Sequence, residues 1–231
     1  MHINIIEGKW FKKGDIDIGV FNFIPPKLFL SYFENASKIE NFIVNFIRTL
    51  KHKQSKVFKP LIGTKFFPFG KNLDYRDYLQ KNFLFFLNKA QKKGLINDSE
   101  GRTLLIYYDN LLQKINKPKI FYFTHNDLSL KHLYWVNKSK RKIGVIDWES
   151  SMFLDKNIDY SIWLIRNQDF YFYSNEGKSL ALSSISNLDI DSNFLKCHLF
   201  REGFIQEYFQ KKENLRNFMS KYKFLVKNLK I

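Results

Sequence analysis

The chain has 231 residues, 45% of them hydrophobic and 26% charged, a balance that suits a packed globular protein and excludes disorder. Its longest apolar runs, such as Phe83–Leu87, fall far short of the roughly 20 residues a helical membrane span needs, and the single cysteine, Cys197, excludes an intrachain disulfide or a cysteine-built zinc cluster. A formal net charge of +16 invites polyanion binding, but the excess is mostly lysine spread along the whole chain without a motif of interpretable docking mode, so no specific nucleic-acid partner is expected.

Met1–Ile6 reads as a short apolar strand. It lacks the basic start and apolar block of a secretory leader, which makes a cytoplasmic address the default expectation. Gly14–Pro26 reads as a turn-rich connector, with Pro25-Pro26 barring helix continuation. After Leu28–Phe33, the apolar residues Ile39, Phe42, Ile43, Phe46, Ile47 and Leu50 recur at steps of three and four and predict an amphipathic helix over Ala36–Leu50. Lys53–Gly70 is broken by Pro60, Gly63, Pro68 and Gly70 and reads as loop. A helix is predicted over Leu73–Lys92 and another from Asp98 or Ser99 to Ile115, with Asp98-Ser99-Glu100 as its capping start.

The next stretch carries the chemistry. Phe121–Thr124 leads into His125-Asn126-Asp127, and Ile143–Ile146 leads into Asp147-Trp148. Between the two acids lie a short strand (Leu133–Val136), a turn rich in Lys and Asn (Asn137–Lys142) and a second strand (Ile143–Ile146). A hairpin brings the loop before it and the loop after it to one end, so carboxylates 20 residues apart become neighbours. Phosphoryl transfer wants such an arrangement: one carboxylate to accept or orient a hydroxyl proton, another to hold the divalent metal on the nucleotide phosphates. The order His125-x-Asp127, His132 five positions on, and Asp147 followed by an aromatic residue follows the kinase pattern.

A helix follows Asp159 with Tyr160, Trp163 and Leu164. Asn167–Gly177, aromatic and polar, reads as a loop on the substrate side. Two helices, beginning at Phe194 and Asn214, pack the remainder, and their lysines form a solvated face. Cys197 reads as a buried, inert thiol. No repeat or linker divides the chain, so residues 1–231 are expected to form a single domain.

HNDLSLKHLY, GVIDWES and DKNIDY, in that order and spacing, resemble the signature of the aminoglycoside phosphotransferase and choline kinase superfamily. His at position 132 is similar to the aminoglycoside 2''-phosphotransferase branch. The resemblance implies an α+β fold, a mostly helical C-terminal lobe of a protein-kinase-like fold with a small catalytic β-hairpin. It implies transfer of the γ-phosphoryl group of ATP or GTP, with Mg2+, to a hydroxyl of a small molecule.

Carried over by position, Asp127 is the catalytic base and His125 braces its loop. Asp147 and His132 hold the metal. Ile3, Ile5 and Ile6 at a hinge, with Leu133 and Ile146, meet the nucleotide. Glu149, Asp155, Asp169 and Glu176 are the carboxylates expected to meet the acceptor, while Asp155 and Asp159 also occupy supporting positions in the family. On this alignment the glycine-rich phosphate loop and the strand lysine of a nucleotide lobe are missing, which leaves room for a separate N-terminal lobe as partner. Two rivals stay open: a non-catalytic lobe kept as a binding module, and a basic nucleic-acid or membrane-surface protein.

Overall fold

The computed structural model describes residues 8–13, 16–21, 36–60, 74–137, 142–148, 150–206 and 215–231. The hinge residues Ile3, Ile5 and Ile6, the run 28–33 and Glu149 lie outside the described residues.

The first described residues form an antiparallel hairpin, β1 (Gly8–Lys13) and β2 (Ile16–Phe21), in register Gly8↔Phe21 to Lys13↔Ile16. This corrects the reading of Gly14–Pro26 as connector throughout, because Ile16, Ile18 and Val20 alternate with other residues at strand period. Helix α1 (Ala36–Leu50) buries Ile39, Ile43, Phe46, Ile47 and Leu50 as the spacing requires. It also buries Glu40, 2% exposed, whose carboxylate accepts from Tyr160 Oη (2.6 Å), Trp163 Nε1 (3.2 Å), Ser184 Oγ (2.5 Å) and Tyr171 Oη. A buried carboxylate is tolerated only with such donors, and these come from three later helices.

Strands β3 (Gln54–Ser55), β4 (Lys59–Pro60), β5 (Phe121–Thr124) and β8 (Met152–Leu154) form an antiparallel sheet in the order β3-β5-β8-β4. A separate hairpin pairs β6 (Leu133–Asn137) with β7 (Lys142–Val145), Leu133 facing Val145 and Tyr134 facing Gly144. The Tyr134 ring lies so close over Gly144 that a Cβ there would collide with it.

The other long elements among the described residues are helices: α2 (Tyr75–Lys92), α3 (Asp98–Leu112), α4 (Ile158–Arg166), α5 (Gln168–Tyr173), α6 (Asn175–Asn187), α7 (Ser192–Gly203) and α8 (Leu215–Asn228). The N-cap of α3 is Asn97 rather than the Asp98 start, and Asn97 and Glu100 cap each other reciprocally. Asn167–Gly177 is a pair of helical segments, not a loop. Ser174 ends one and caps the other by accepting from Gly177 N, and the backbone approach of Phe170 leaves no room for a side chain at Gly177.

Helix α4 packs on α7, α7 meets α3 and α8, and α1 meets α6. Their core is aromatic: Phe83 lies 4.2 Å from Tyr108 and 5.2 Å from Phe204, and Phe200 5.2 Å from Phe218, centroid to centroid. Cys197 is buried in it, and burial pushes its thiol up to about 12. Among the described residues, no helix is long and apolar enough to cross a membrane.

Candidate active site

Two turns set the site, one at the end of β5 and one after β7. Asn126 and Asp147 both adopt the left-handed backbone region, at φ 58° and 66°. Asn and Asp enter that region more readily than other non-glycine residues, and such conformations persist where surrounding bonds enforce them. At Asn126 the enforcing group is Asp159. Its Oδ2 accepts from His125 N (3.0 Å) and its Oδ1 from Asn126 N (2.7 Å), while Asn126 Nδ2 donates to Ser150 O (3.2 Å). Asp159 is 2% exposed, and burial pushes its carboxyl up to about 6 against the pull of the two amides.

His125 ties the first turn to the second. A carbonyl oxygen only accepts, so the 2.8 Å contact to Ile146 O makes Nε2 the donor. Nδ1 is then a bare lone pair, buried and without a hydrogen-bond partner among the described residues. Burial lowers this histidine to about 4. Its ring packs 4.8 Å from Trp148, which also touches Phe46 and Phe123, so the strand end at Asp147 is anchored to α1 and β5.

His132 closes a short 3-10 turn, Leu130–His132, and is 5% exposed. Its Nδ1 lies 2.7 Å from Asp127 O and 3.2 Å from Ser129 Oγ, so by the same reasoning Nδ1 carries the hydrogen. Its Nε2 lone pair then points at Asp147 Oδ2 (3.1 Å) and toward Asp127 Oδ2 (3.7 Å). Burial lowers His132 and favours the neutral ring, so a lone pair faces two carboxylates. Ligand atoms of Asp127, His132 and Asp147 all lie within 4.8 Å of one another. Acceptors converging on one point repel unless a cation joins them. Two carboxylates and one imidazole fit a divalent ion, with oxygen donors suited to magnesium and the nitrogen a borderline ligand.

Asp127, 21% exposed in its side chain, has a further partner that the sequence motifs did not reveal: the Arg166 guanidinium binds its Oδ1. Burial raises Asp127 from the usual carboxylate range, while Arg166 and then His132 oppose the rise. The signal was present as spacing, since Arg166 follows Asp159 by seven residues and so shares its face of α4.

Two assignments are corrected. Asp155 does not face an acceptor: it is 2% exposed, and its carboxylate accepts from Tyr75 Oη, Asn157 N (2.9 Å) and Nδ2 (2.8 Å), and meets His198 Nε2 at 2.6 Å. Facing His198 among these donors, it lies at about 2 despite its burial. Leu133 is wholly enclosed, with 0% exposure, and offers a nucleotide no surface. Ile146 is half-buried, and its main chain is held by His125 Nε2 and by His132 O (3.0 Å). Asp169 and Glu176 are exposed in the first turns of α5 and α6.

No family model and no curated protein matches the chain. Solved structures do. An ethanolamine kinase of Plasmodium vivax aligns over 98% of this chain and 67% of its own, with a TM-score of 0.57 at 14% identity. A spectinomycin phosphotransferase in complex with ADP and spectinomycin aligns over 94% of this chain and 69% of its own, with a TM-score of 0.47 at 14% identity. The chain therefore has an α+β, helix-rich architecture, that of the C-terminal lobe of a kinase-like fold.

Proposed function

We propose that the chain is the catalytic lobe of a small-molecule phosphotransferase that moves the γ-phosphoryl group of ATP or GTP to an alcohol. The observation that carries this reading is the convergence of Asp127, His132 and Asp147 on one point from the two ends of a hairpin. Asp147 and His132 would hold magnesium there, which when bound neutralises charge on the nucleotide phosphates. Asp127 accepts the proton of the acceptor hydroxyl. The acceptor oxygen bonds to the γ-phosphorus, the bond from that phosphorus to the β–γ bridging oxygen breaks, and the nucleoside diphosphate leaves with the electron pair. His125 and Asp159 hold the turn that aims Asp127.

Fold likeness to kinases is support of a weaker kind, since one fold hosts many activities. The deciding experiment measures nucleoside diphosphate formation from Mg-ATP and Mg-GTP over a panel of alcohols, with Asp127→Asn as control. Turnover that falls at least about a thousandfold in the variant, with thermal unfolding unchanged, supports the reading. Undiminished turnover in Asp127→Asn overturns it.

A further inference from the structure

Neither metal binding nor proton transfer requires a guanidinium on the base, and an ion pair makes a carboxylate a poorer proton acceptor. Yet Arg166 binds Asp127 Oδ1. The other oxygen, Oδ2, lies toward His132 Nε2 and so toward the metal point. An acceptor hydroxyl therefore approaches the oxygen that Arg166 already holds.

The surroundings of Arg166 make its displacement expensive. Its side chain is 15% exposed, and its Nε is enclosed without a hydrogen-bond partner among the described residues. A guanidinium pushed off Asp127 in that setting becomes an unpaired, largely desolvated cation, which is costly. An acceptor carrying its own anion removes that cost, because the hydroxyl takes Asp127 while the anion takes Arg166 in a charge-assisted fork. An acceptor carrying a cation brings a like charge beside Arg166 and relieves nothing. The field of a chain at +16 acts in the same sense, drawing in anionic solutes over cationic ones.

Resting on the phosphotransferase reading above, we propose that Arg166 selects the acceptor by charge: the substrate is an alcohol whose reactive hydroxyl is flanked by a carboxylate or phosphate group. Such a substrate differs in sign from ethanolamine. Arg166 is then a specificity-determining residue of the acceptor side, distinct from the metal pair.

The test compares binding of matched small alcohols to the full chain, without nucleotide and with divalent metal chelated, so that no carboxylate is captured by a metal. The probes are 3-hydroxypropanoate and glycerol 3-phosphate against ethanolamine and choline, titrated by NMR. The expected result is at least tenfold tighter binding of the anionic alcohols to the wild-type chain, a preference shrinking to within about twofold in Arg166→Gln and partly restored in Arg166→Lys. A merely structural arginine would weaken all four probes alike and leave their ratio unchanged. Equal or tighter binding of the cationic alcohols, no measurable preference, or a preference that survives in Arg166→Gln overturns the proposal. The phosphotransferase reading fails separately, through undiminished turnover in Asp127→Asn.

Discussion

Asp159 and Arg166 lie seven residues apart on one face of α4, and both engage the segment His125–Asp127: the acid holds two main-chain amides and the base holds the Asp127 carboxylate. A single short helix thus fixes both the backbone and the side chain of the candidate base. The helix is itself held by Glu40 of α1 through Tyr160 and Trp163. Geometry at Asp127 is therefore set by elements more than 30 residues away in sequence on either side.

Asp159→Ala strands one buried and one partly buried amide and releases the left-handed turn at Asn126. Each unsatisfied buried amide costs about 1 to 3 kcal/mol, so chemical denaturation should show a loss of about 2 to 6 kcal/mol. Asp159→Asn keeps one side-chain acceptor, and about half of that loss is expected. A variant with wild-type stability would mean that the two amides find water instead.

At Asp155 the outcome differs in kind. Its partners Tyr75, Asn157 and His198 are enclosed, so Asp155→Ala leaves buried donors unpaired and costs about 3 to 5 kcal/mol. The acceptor KM, measured on the folded fraction, should stay within about twofold of wild type, as expected of a residue that does not touch substrate. A large rise in KM with little loss of stability would return Asp155 to the acceptor side.

How far the chain could be read in advance depends on the range of the interactions. Helix α1 was legible to the residue because Ile39, Ile43, Ile47 and Leu50 repeat at helical period, and the β6–β7 hairpin because short apolar runs flank a polar turn. The convergence of Asp127 and Asp147 came from that hairpin alone. What escaped was non-local or aperiodic. Gln168–Tyr173 carries four successive aromatics without an apolar stripe, and the only capping signal beside it, Ser174 with Gly177, marks the start of the following helix α6. Glu40 looks like a solvent residue until donors from α4, α5 and α6 surround it. The family position of Asp155 allows both an acceptor-side and a supporting role, and the partners that enclose its carboxylate, Tyr75 and His198, lie 80 and 43 residues away in sequence.

Stability against pH should be unusually flat between about 4 and 6, because two buried groups oppose each other there. His125 lies at about 4 in the fold against about 6.5 unfolded, so the unfolded chain binds more protons in that window and stability falls as pH falls. Asp159 lies at about 6 against about 3.9 unfolded, so the folded chain binds more protons and stability falls as pH rises. Removing one group exposes the other. His125→Gln should become more stable on going from pH 6.5 to 4.5, and Asp159→Asn less stable, each by about 2 kcal/mol in urea denaturation. Below about pH 4, Asp155 takes over: its folded value of about 2 means that its contribution is lost as pH drops from about 4 toward 2. Parallel pH profiles for wild type and both variants would contradict this assignment of opposing groups.

His132 offers a test of the metal point that needs no acceptor. Its Nδ1–H is fixed by Asp127 O and Ser129, which leaves Nε2 the atom aimed at Asp147. If Nε2 is a ligand, as proposed, replacing His132 with alanine should weaken magnesium binding at least about tenfold, the size that changes beyond the ligand shell already reach. Asparagine carries a hard oxygen, the donor magnesium prefers, and should hold magnesium as well as histidine does or better. Zinc, which takes imidazole nitrogen readily, should show the opposite ranking, histidine above asparagine. Thermal-shift titrations with each metal on the three chains separate the two orders. If magnesium affinity is the same in all three, Nε2 lies outside the coordination shell, and Asp147 and Asp127 hold the ion without it.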